Sequence, residues 1–226
     1  MERIQEFWSA QVQAEYASAT ITAQYVHWLQ RVAASPDLIK QGLRISDDEM
    51  VHAELAFSIA EQAGSSASLV LNDAQLNPIE TFSNLQKCIF ERNLRFYCLG
   101  ETVAIPLFKA MLKNAEIEEV IIAYHQILKD EGRHSDYGWL SLAWMMAHWP
   151  ESALWLEELL PSALESIKNE YIVDSESSYP VLTEKERQWG MIEAQQYSDI
   201  LLQTISTQYQ KQLSTYDIDI NDYLDG

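Results

Sequence analysis

The chain has 226 residues, of which 47% are hydrophobic and 22% charged, so it can bury a core without disulfides or other cross-links. Its net charge of −19, from 15 Lys and Arg against 34 Asp and Glu, repels phosphates and makes nucleic acids and anionic membranes poor partners. With 7 Gly and 6 Pro, the chain has few of the turn residues that β-sandwiches and barrels need. No apolar leader follows Met1, and the two cysteines match no zinc-site spacing, so we expect a soluble cytoplasmic protein.

Helical periodicity dominates the chain and predicts an all-α fold. Proline, glycine and capping signals divide it into a core at 2–148, a helical extension at 149–213 and an acidic tail at 214–226, which we expect to be frayed. The core is predicted to contain a helix at about 2–34 and a second helix at 36–63, which begins at Ser35-Pro36. A long crossover to Asn77-Pro78 follows, then a third helical region at about 79–113 and a fourth helix from the turn at Asn114-Ala115 to about 148. The extension is predicted to contain two elements, one from Pro150 and one from the capping box Thr183-x-x-Glu186 to about Leu213.

Two Glu-x-x-His motifs lie on the inward faces of the second and fourth predicted helices. Glu49 and His52 are three residues apart, as are Glu131 and His134, so each pair projects from one helical face and can hold one metal ion. An aspartate precedes each glutamate. With 22 Glu, 12 Asp and 5 His in the chain, about 0.03 Asp-Glu-x-x-His motifs are expected by chance, so two occurrences indicate a function.

Two further carboxylates, Glu15 and Glu101, lie on the inward faces of the first and third predicted helices. Glu15 and Glu49 are equally far from the turn that joins their helices, and so are Glu101 and Glu131. Two packed hairpins would therefore bring all six side chains to one layer of a bundle. In the third helix the predicted inward stripe is Leu94, Tyr97, Glu101, Ala104, Phe108 and Met111.

Four carboxylates neutralise two divalent cations, and two neutral imidazoles complete the ligand set without adding charge. A mixed nitrogen and oxygen set suits iron or manganese, with open positions for dioxygen. Asp48 and Asp130 could accept the second N–H of a histidine on a neighbouring helix. Two alternatives stay open at this stage: Ser46-x-x-Glu49 also reads as a capping box, and Glu6 competes with Glu15.

These residues resemble the ligand pattern of the ferritin-like di-iron carboxylate superfamily, which includes ferritins, rubrerythrins, ribonucleotide reductase small subunits and bacterial multicomponent monooxygenases. The resemblance covers about residues 2–148, and its motifs are Glu15, Asp48-Glu49-x-x-His52, Glu101 and Asp130-Glu131-Gly132-Arg133-His134. It implies a single ferritin-like four-helix bundle with a long crossover between helices 2 and 3 and additional C-terminal helices. Ala56 stands where the radical-forming small subunits carry a tyrosine, so that activity is not expected.

By the same resemblance, two iron ions per chain, or manganese or a mixed pair, are held by Glu15, Glu49, His52, Glu101, Glu131 and His134. Asp48, Asp130 and Arg133 then lie behind these ligands. The implied activity is a non-haem di-iron oxygenase or oxidase that uses dioxygen and an electron donor to oxidise a small apolar organic substrate.

Three points remain open from the sequence. Tyr97 and Tyr124 could line a cavity, carry electrons or belong only to the core. Gly132 and Gly138 could leave room for the substrate beside the metals. The alternatives to an oxygenase are a ferroxidase, iron-handling or peroxide-scavenging protein and a metal-free helical interaction protein, and the C-terminal helices offer a face for a homodimer.

Overall fold

The computed structural model describes residues 1–65, 83–172 and 180–223, and all regular secondary structure in these ranges is helical. The predicted all-α class is therefore confirmed for this part of the chain. Most of the predicted crossover between the second and third helices lies at 66–82, outside the described residues. The helices are α1 (Glu2–Arg31), α2 (Pro36–Gln62), α3 (Leu85–Arg92), α4 (Glu101–Asn114), α5 (Glu118–His148), α6 (Ser152–Tyr171), α7 (Glu184–Gln188), α8 (Ala194–Thr204) and α9 (Gln210–Leu213).

Two π-helical segments interrupt the α-helices, and two short 3-10 helices follow α9. The first π-segment, Asn93–Gly100, joins α3 to α4, and the second π-segment, Ile205–Tyr209, joins α8 to α9. The 3-10 helices are Ser214–Tyr216 and Ile220–Tyr223. No described helix combines the length and the low polarity needed to cross a membrane.

The chain divides into two compact units. The first consists of Met1–Ile89, Met111–Asp130 and Leu182–Met191, and the second of Phe90–Ala110, Glu131–Val181 and Ile192–Gly226. Glu15, Glu49, His52 and Asp130 belong to the first unit, whereas Glu101, Glu131 and His134 belong to the second.

The α1–α2 hairpin forms the main part of the first unit. Ser35 caps α2 as predicted, because its side chain accepts a hydrogen bond from the backbone N–H of Leu38. α1 ends at Arg31 rather than near residue 34 because Ala33 has a left-handed backbone, with φ of 53°. The faces of α1 and α2 that carry Glu15, Glu49 and His52 are buried, as predicted, and each large apolar side chain there contributes about 1.5–3 kcal/mol to folding.

Ser46 decides between the two interpretations of the Ser46-x-x-Glu49 pattern. α2 continues through Ser46 without a break, so no helix begins there. The Ser46 hydroxyl instead donates to the carbonyl oxygen of Ala19 on α1, at 3.0 Å. The pattern is therefore a link between α1 and α2 and not a capping box.

The helix predicted from Thr183 to Leu213 is in fact several elements. The capping box of Thr183 and Glu186 is present, but the helix that it begins ends at Gln188. Gly190 then adopts φ of +84°, a conformation that favours glycine and ends the helix. A Cβ atom at Gly190 would also lie 2.4 Å from the ring of Tyr124, so the close approach excludes any side chain there.

In the second unit, the buried residues of α4 agree only in part with the predicted stripe. Glu101 and Met111 are buried as predicted, but Ala104 and Phe108 are only half-buried, and Val103 and Leu107 are buried in their place. Each i→i+5 turn of a π-helix uses one more residue than an α turn, so the α-helical period does not hold across the first π-segment. Pro106 lies within α4, C-terminal to this irregularity.

The acidic tail is folded over its described residues. Ile220 is 1% exposed, and its backbone N–H donates to the side-chain oxygen of Gln210 at 2.8 Å. The expectation of a frayed tail is therefore wrong for 214–223, because an apolar side chain within the acidic sequence is buried.

Neither glycine of α5 leaves the space expected for a substrate. Gly132 is exposed, and the position of a Cβ atom at Gly138 is filled by the main chain of Tyr97 and Cys98. The side of α5 at Gly138 packs directly on the first π-segment, and the Asn93 amide donates to the Gly138 carbonyl oxygen at 2.9 Å.

These two glycines provide a matched pair for a stability test. We expect Gly138→Ala to lower the free energy of unfolding by about 1–3 kcal/mol, because its Cβ would lie 2.6 Å from the carbonyl carbon of Tyr97. Gly132→Ala meets nothing within 4 Å and should raise the same free energy by up to about 1 kcal/mol, since alanine favours the helix. Urea unfolding of the metal-free protein measures both. An equal loss in the two variants would contradict the close packing at Gly138.

Candidate metal centre

The first triad consists of Glu15 on α1 and of Glu49 and His52 on α2. Nδ1 of His52 lies 3.2 Å from a carboxylate oxygen of Glu49 and 3.7 Å from one of Glu15. One candidate ligand atom from each residue lies within 4.8 Å of the others. All three residues are buried, with 7% of Glu15, 2% of Glu49 and none of His52 exposed. The rival Glu6 is exposed, so the structure favours Glu15.

Asp130 lies on the other side of the His52 ring. Its Oδ2 atom is 3.3 Å from Nε2 of His52, and it also accepts a hydrogen bond from the side-chain amide of Gln126, one turn earlier on α5. Since Nε2–H can donate to Asp130, Nδ1 faces the two carboxylates of the first triad and becomes a metal ligand once it loses its proton. This arrangement sets both the tautomer and the orientation that a metal-binding histidine needs.

In the metal-free protein, the first triad holds protons that a cation would have to displace. Burial raises the pKa of Glu15 to about 7, and the neighbouring Glu49 charge adds to this, although the hydrogen bond to His52 acts in the opposite direction. Burial also disfavours the charged form of His52, but the contacts with Glu15 and Glu49 outweigh it and raise the pKa of His52 to about 10.

The second triad consists of Glu101, the first residue of α4, and of Glu131 and His134 on α5. Nδ1 of His134 lies 3.8 Å from a carboxylate oxygen of Glu101 and 3.8 Å from one of Glu131. Candidate ligand atoms of the three residues lie within 4.8 Å of one another, and all three residues are buried. The second triad thus has the same composition as the first, two carboxylates and one imidazole.

A short chain of buried hydrogen bonds connects α4 to α5 beside the second triad. The indole N–H of Trp139 donates to the Thr102 hydroxyl at 3.0 Å, and Thr102 shares a 2.8 Å hydrogen bond with the Ser135 hydroxyl. Thr102 directly follows Glu101 and Ser135 directly follows His134, so these bonds restrain the two helices where the ligands project. These hydrogen bonds were not predicted, although a hydroxyl residue directly after each of two predicted ligands is a signal in the sequence.

The remaining predicted site residues lie outside the two triads. Asp48 and Arg133 are half-buried next to a ligand in sequence. Tyr97 is buried and packs edge-to-face on Tyr137, with ring centroids 5.3 Å apart. Tyr124 is also buried, and its hydroxyl lies 3.4 Å from the carbonyl oxygen of Gly190, which accounts for its polar atom within the core.

No protein-family model, curated protein or solved structure matches this chain. The ferritin-like resemblance therefore depends on the ligand pattern alone. What the structure supports directly is a helical protein with buried carboxylate and histidine groups that could hold metal ions.

The donor atoms of both triads fit iron or manganese. Each triad supplies two carboxylates, which neutralise one divalent cation, and one neutral imidazole, and this mixed set matches the ligands that these metals take in proteins. Three protein ligands leave further coordination positions for small molecules. Burying these carboxylates without a cation is costly, as the raised pKa of Glu15 indicates.

We expect metal binding at the first triad to release protons, and more of them at low pH. Above pH 7 a bound Mn²⁺ ion should displace about one proton, from His52, and below pH 7 about two, because Glu15 is then also protonated. Affinity should therefore fall as the pH is lowered. Titration of the apoprotein with Mn²⁺ in weakly buffered solution containing a pH indicator measures the release at pH 6 and pH 8. Binding without proton release at either pH would contradict this description of the site.

The contact between His52 and Asp130 predicts that Asp130 supports metal binding at the first triad. Asp130→Asn replaces a charged acceptor by a neutral amide and should weaken metal binding about 10–100-fold, because His52 loses the group that orients it. Asp136→Asn removes an exposed carboxylate from the same helix and is the matched control. Isothermal titration with Mn²⁺ compares the two variants, and equal affinities would show that Asp130 does not support His52.

Proposed function

We propose that this protein is a non-haem di-iron, or iron–manganese, oxidoreductase that activates dioxygen to oxidise a small organic substrate. The observation that carries the proposal is the repetition of one buried ligand set, two carboxylates and one histidine, in two places in the fold. A ferritin-like four-helix bundle made of α1, α2, α3–α4 and α5 is part of this proposal.

The pairing of the two ions is supported by where the ligands stand in their hairpins. Glu15 lies 16 residues before the end of α1 at Arg31, and Glu49 lies 13 residues after the start of α2 at Pro36. Glu101 and Glu131 each lie 13 residues from their ends of the α4–α5 turn, at Asn114 and Glu118. In a ferritin-like bundle such matched depths would bring the triads to one layer, where two ions about 3.5–4 Å apart can act together.

The ligand chemistry supports oxygen activation rather than a purely structural metal. A structural zinc site is normally closed by four ligands, whereas each triad has three and leaves positions open. An iron pair held by the two triads would supply redox chemistry and open coordination positions for dioxygen. The residues of this chain bind and orient: the carboxylates hold the cations, and Asp130 fixes the ring of His52.

The redox partner and the substrate are constrained by charge and packing. With a net charge of −19, the protein would repel an acidic electron donor, so we expect a donor with a basic docking face. The space beside Gly138 is filled by the main chain of Tyr97, so the substrate must bind elsewhere.

Iron loading tests this proposal directly. Purified protein loaded anaerobically with Fe(II) should bind about two irons per chain and develop a visible absorption band on exposure to air. Glu49→Ala and His134→Ala should lose iron and the band together. Glu54→Ala and His125→Ala remove exposed side chains of the same types from the same two helices, α2 and α5, and should retain both.

The outcomes separate the candidate functions. Two irons with an oxygen-dependent band support the oxidoreductase, and the exchange coupling of a Mn(II)-loaded sample, measured by EPR, distinguishes a metal pair from two separate ions. Continued uptake of iron as ferric oxide would favour a ferroxidase or iron-handling protein. A folded protein that binds neither iron nor manganese would refute the proposal and favour a metal-free interaction protein.

A further inference from the structure

The first π-segment ends directly before Glu101, a residue of the second triad. The backbone N–H of Glu101 donates to the carbonyl oxygen of Phe96, five residues earlier, which is the π pattern. Because a π turn uses one more residue than an α turn, the direction in which Glu101 projects depends on this segment. If the segment changed to α-helix, Glu101 would rotate away from the face that it now occupies.

A hydroxyl group from the C-terminal extension is bonded to the end of this segment. The Tyr209 hydroxyl donates to the carbonyl oxygen of Leu99 at 2.6 Å, across 110 residues of sequence. Tyr209 is fully buried, and burial raises the pKa of its hydroxyl well above the ordinary value, so the hydroxyl remains a proton donor. Leu99 is also fully buried.

The two π-segments are thus joined by one hydrogen bond. Tyr209 is the last residue of the second π-segment, and Leu99 is the last but one of the first. π-helical turns are rare because the α-helix is normally more stable, and they are frequently found at functional sites. At its other end the first π-segment is held by Asn93, whose amide donates to the Gly138 carbonyl oxygen.

We propose that Tyr209 is a positioning residue for Glu101: its hydrogen bond to Leu99 keeps the first π-segment in the register that directs Glu101 into the second triad. The role in metal binding rests on the proposed function, in which Glu101 is a ligand. The effect on the backbone at Glu101 does not. On this interpretation the C-terminal extension contributes to the metal site through the main chain of the first π-segment, which leads into α4.

Tyr209→Phe tests the proposal, since it keeps the ring and removes only the hydroxyl. In a Mn²⁺ titration, we expect the wild type to bind two ions per chain, whereas the variant should bind one of them at least about 10-fold more weakly. Tyr25→Phe removes the hydroxyl from an equally buried tyrosine on α1 and is the matched control. If Tyr209→Phe weakened the binding of both ions equally, or if Tyr25→Phe weakened binding to the same extent, the effect would be general destabilisation and the positioning role would be overturned.

Hydrogen exchange at the backbone provides a readout that needs no metal. In the apo form of Tyr209→Phe, the Glu101 amide should exchange at least about 10-fold faster than in the wild type, while amides of α1 and α2 are unchanged. Unchanged exchange at Glu101, or faster exchange with unchanged affinity for both ions, would overturn the proposal. If the wild type itself bound no metal, the proposed function would fail, and the exchange rate at Glu101 would still decide whether Tyr209 holds the π-segment.

Discussion

Burial of negative charge is the constraint on which this structure depends. Four glutamates, Glu15, Glu49, Glu101 and Glu131, are each less than one tenth exposed, in a chain that already carries an excess of acidic residues. A buried carboxylate is tolerated only when a proton, a cation or hydrogen bonds compensate its charge. In the first triad burial raises the pKa of Glu15, and the contacts with Glu15 and Glu49 raise the pKa of His52, so that in the absence of metal bound protons compensate the negative charge. A divalent cation bound there would supply the positive charge that those protons supply in the metal-free protein.

Much of the structure around the first triad serves to hold these groups at fixed positions. The cap at Ser35 sets where α2 begins, and the bond from Ser46 to Ala19 joins α2 to α1 close to both glutamates. Asp130 then restrains His52 from the far side of its ring. Each contact is individually worth about 1 kcal/mol, but together they restrict the rotation and sliding of one helix against the other. A site preorganised in this way spends little of its binding energy on ordering the ligands.

The ligands could be predicted from the sequence because they follow the α-helical period, and the predictions failed where the backbone leaves that period. Glu49 and His52 recur at helical spacing within an apolar stripe, so their shared face was predictable. The first π-segment carries no comparable signal, because its contacts, such as the bond from Tyr209, are with residues distant in sequence. Beyond it the prediction was correct for Glu101 and Met111 but placed Ala104 and Phe108 inward in place of Val103 and Leu107. The close approach at Gly138 was missed because it depends on the main chain of Tyr97 and Cys98, which is distant in sequence. The helix end at Gly190 does have a local signal, a glycine just after the helix, which the prediction of one helix to Leu213 did not use.

The described contacts of the C-terminal extension include two that lie close in sequence to candidate ligands. In the second unit, the Tyr209 hydroxyl donates to the backbone directly before Glu101. In the first unit, Gly190 packs against Tyr124, and Tyr124 lies on α5 two turns before Glu131. The Tyr209 hydroxyl is buried against a main-chain carbonyl of the first π-segment, directly before the start of α4. Loss of a buried hydrogen bond of this kind costs about 1–3 kcal/mol, so the bond stabilises the backbone at that point. If Glu101 is a metal ligand, as proposed, the extension would therefore contribute to the site through the backbone that precedes Glu101.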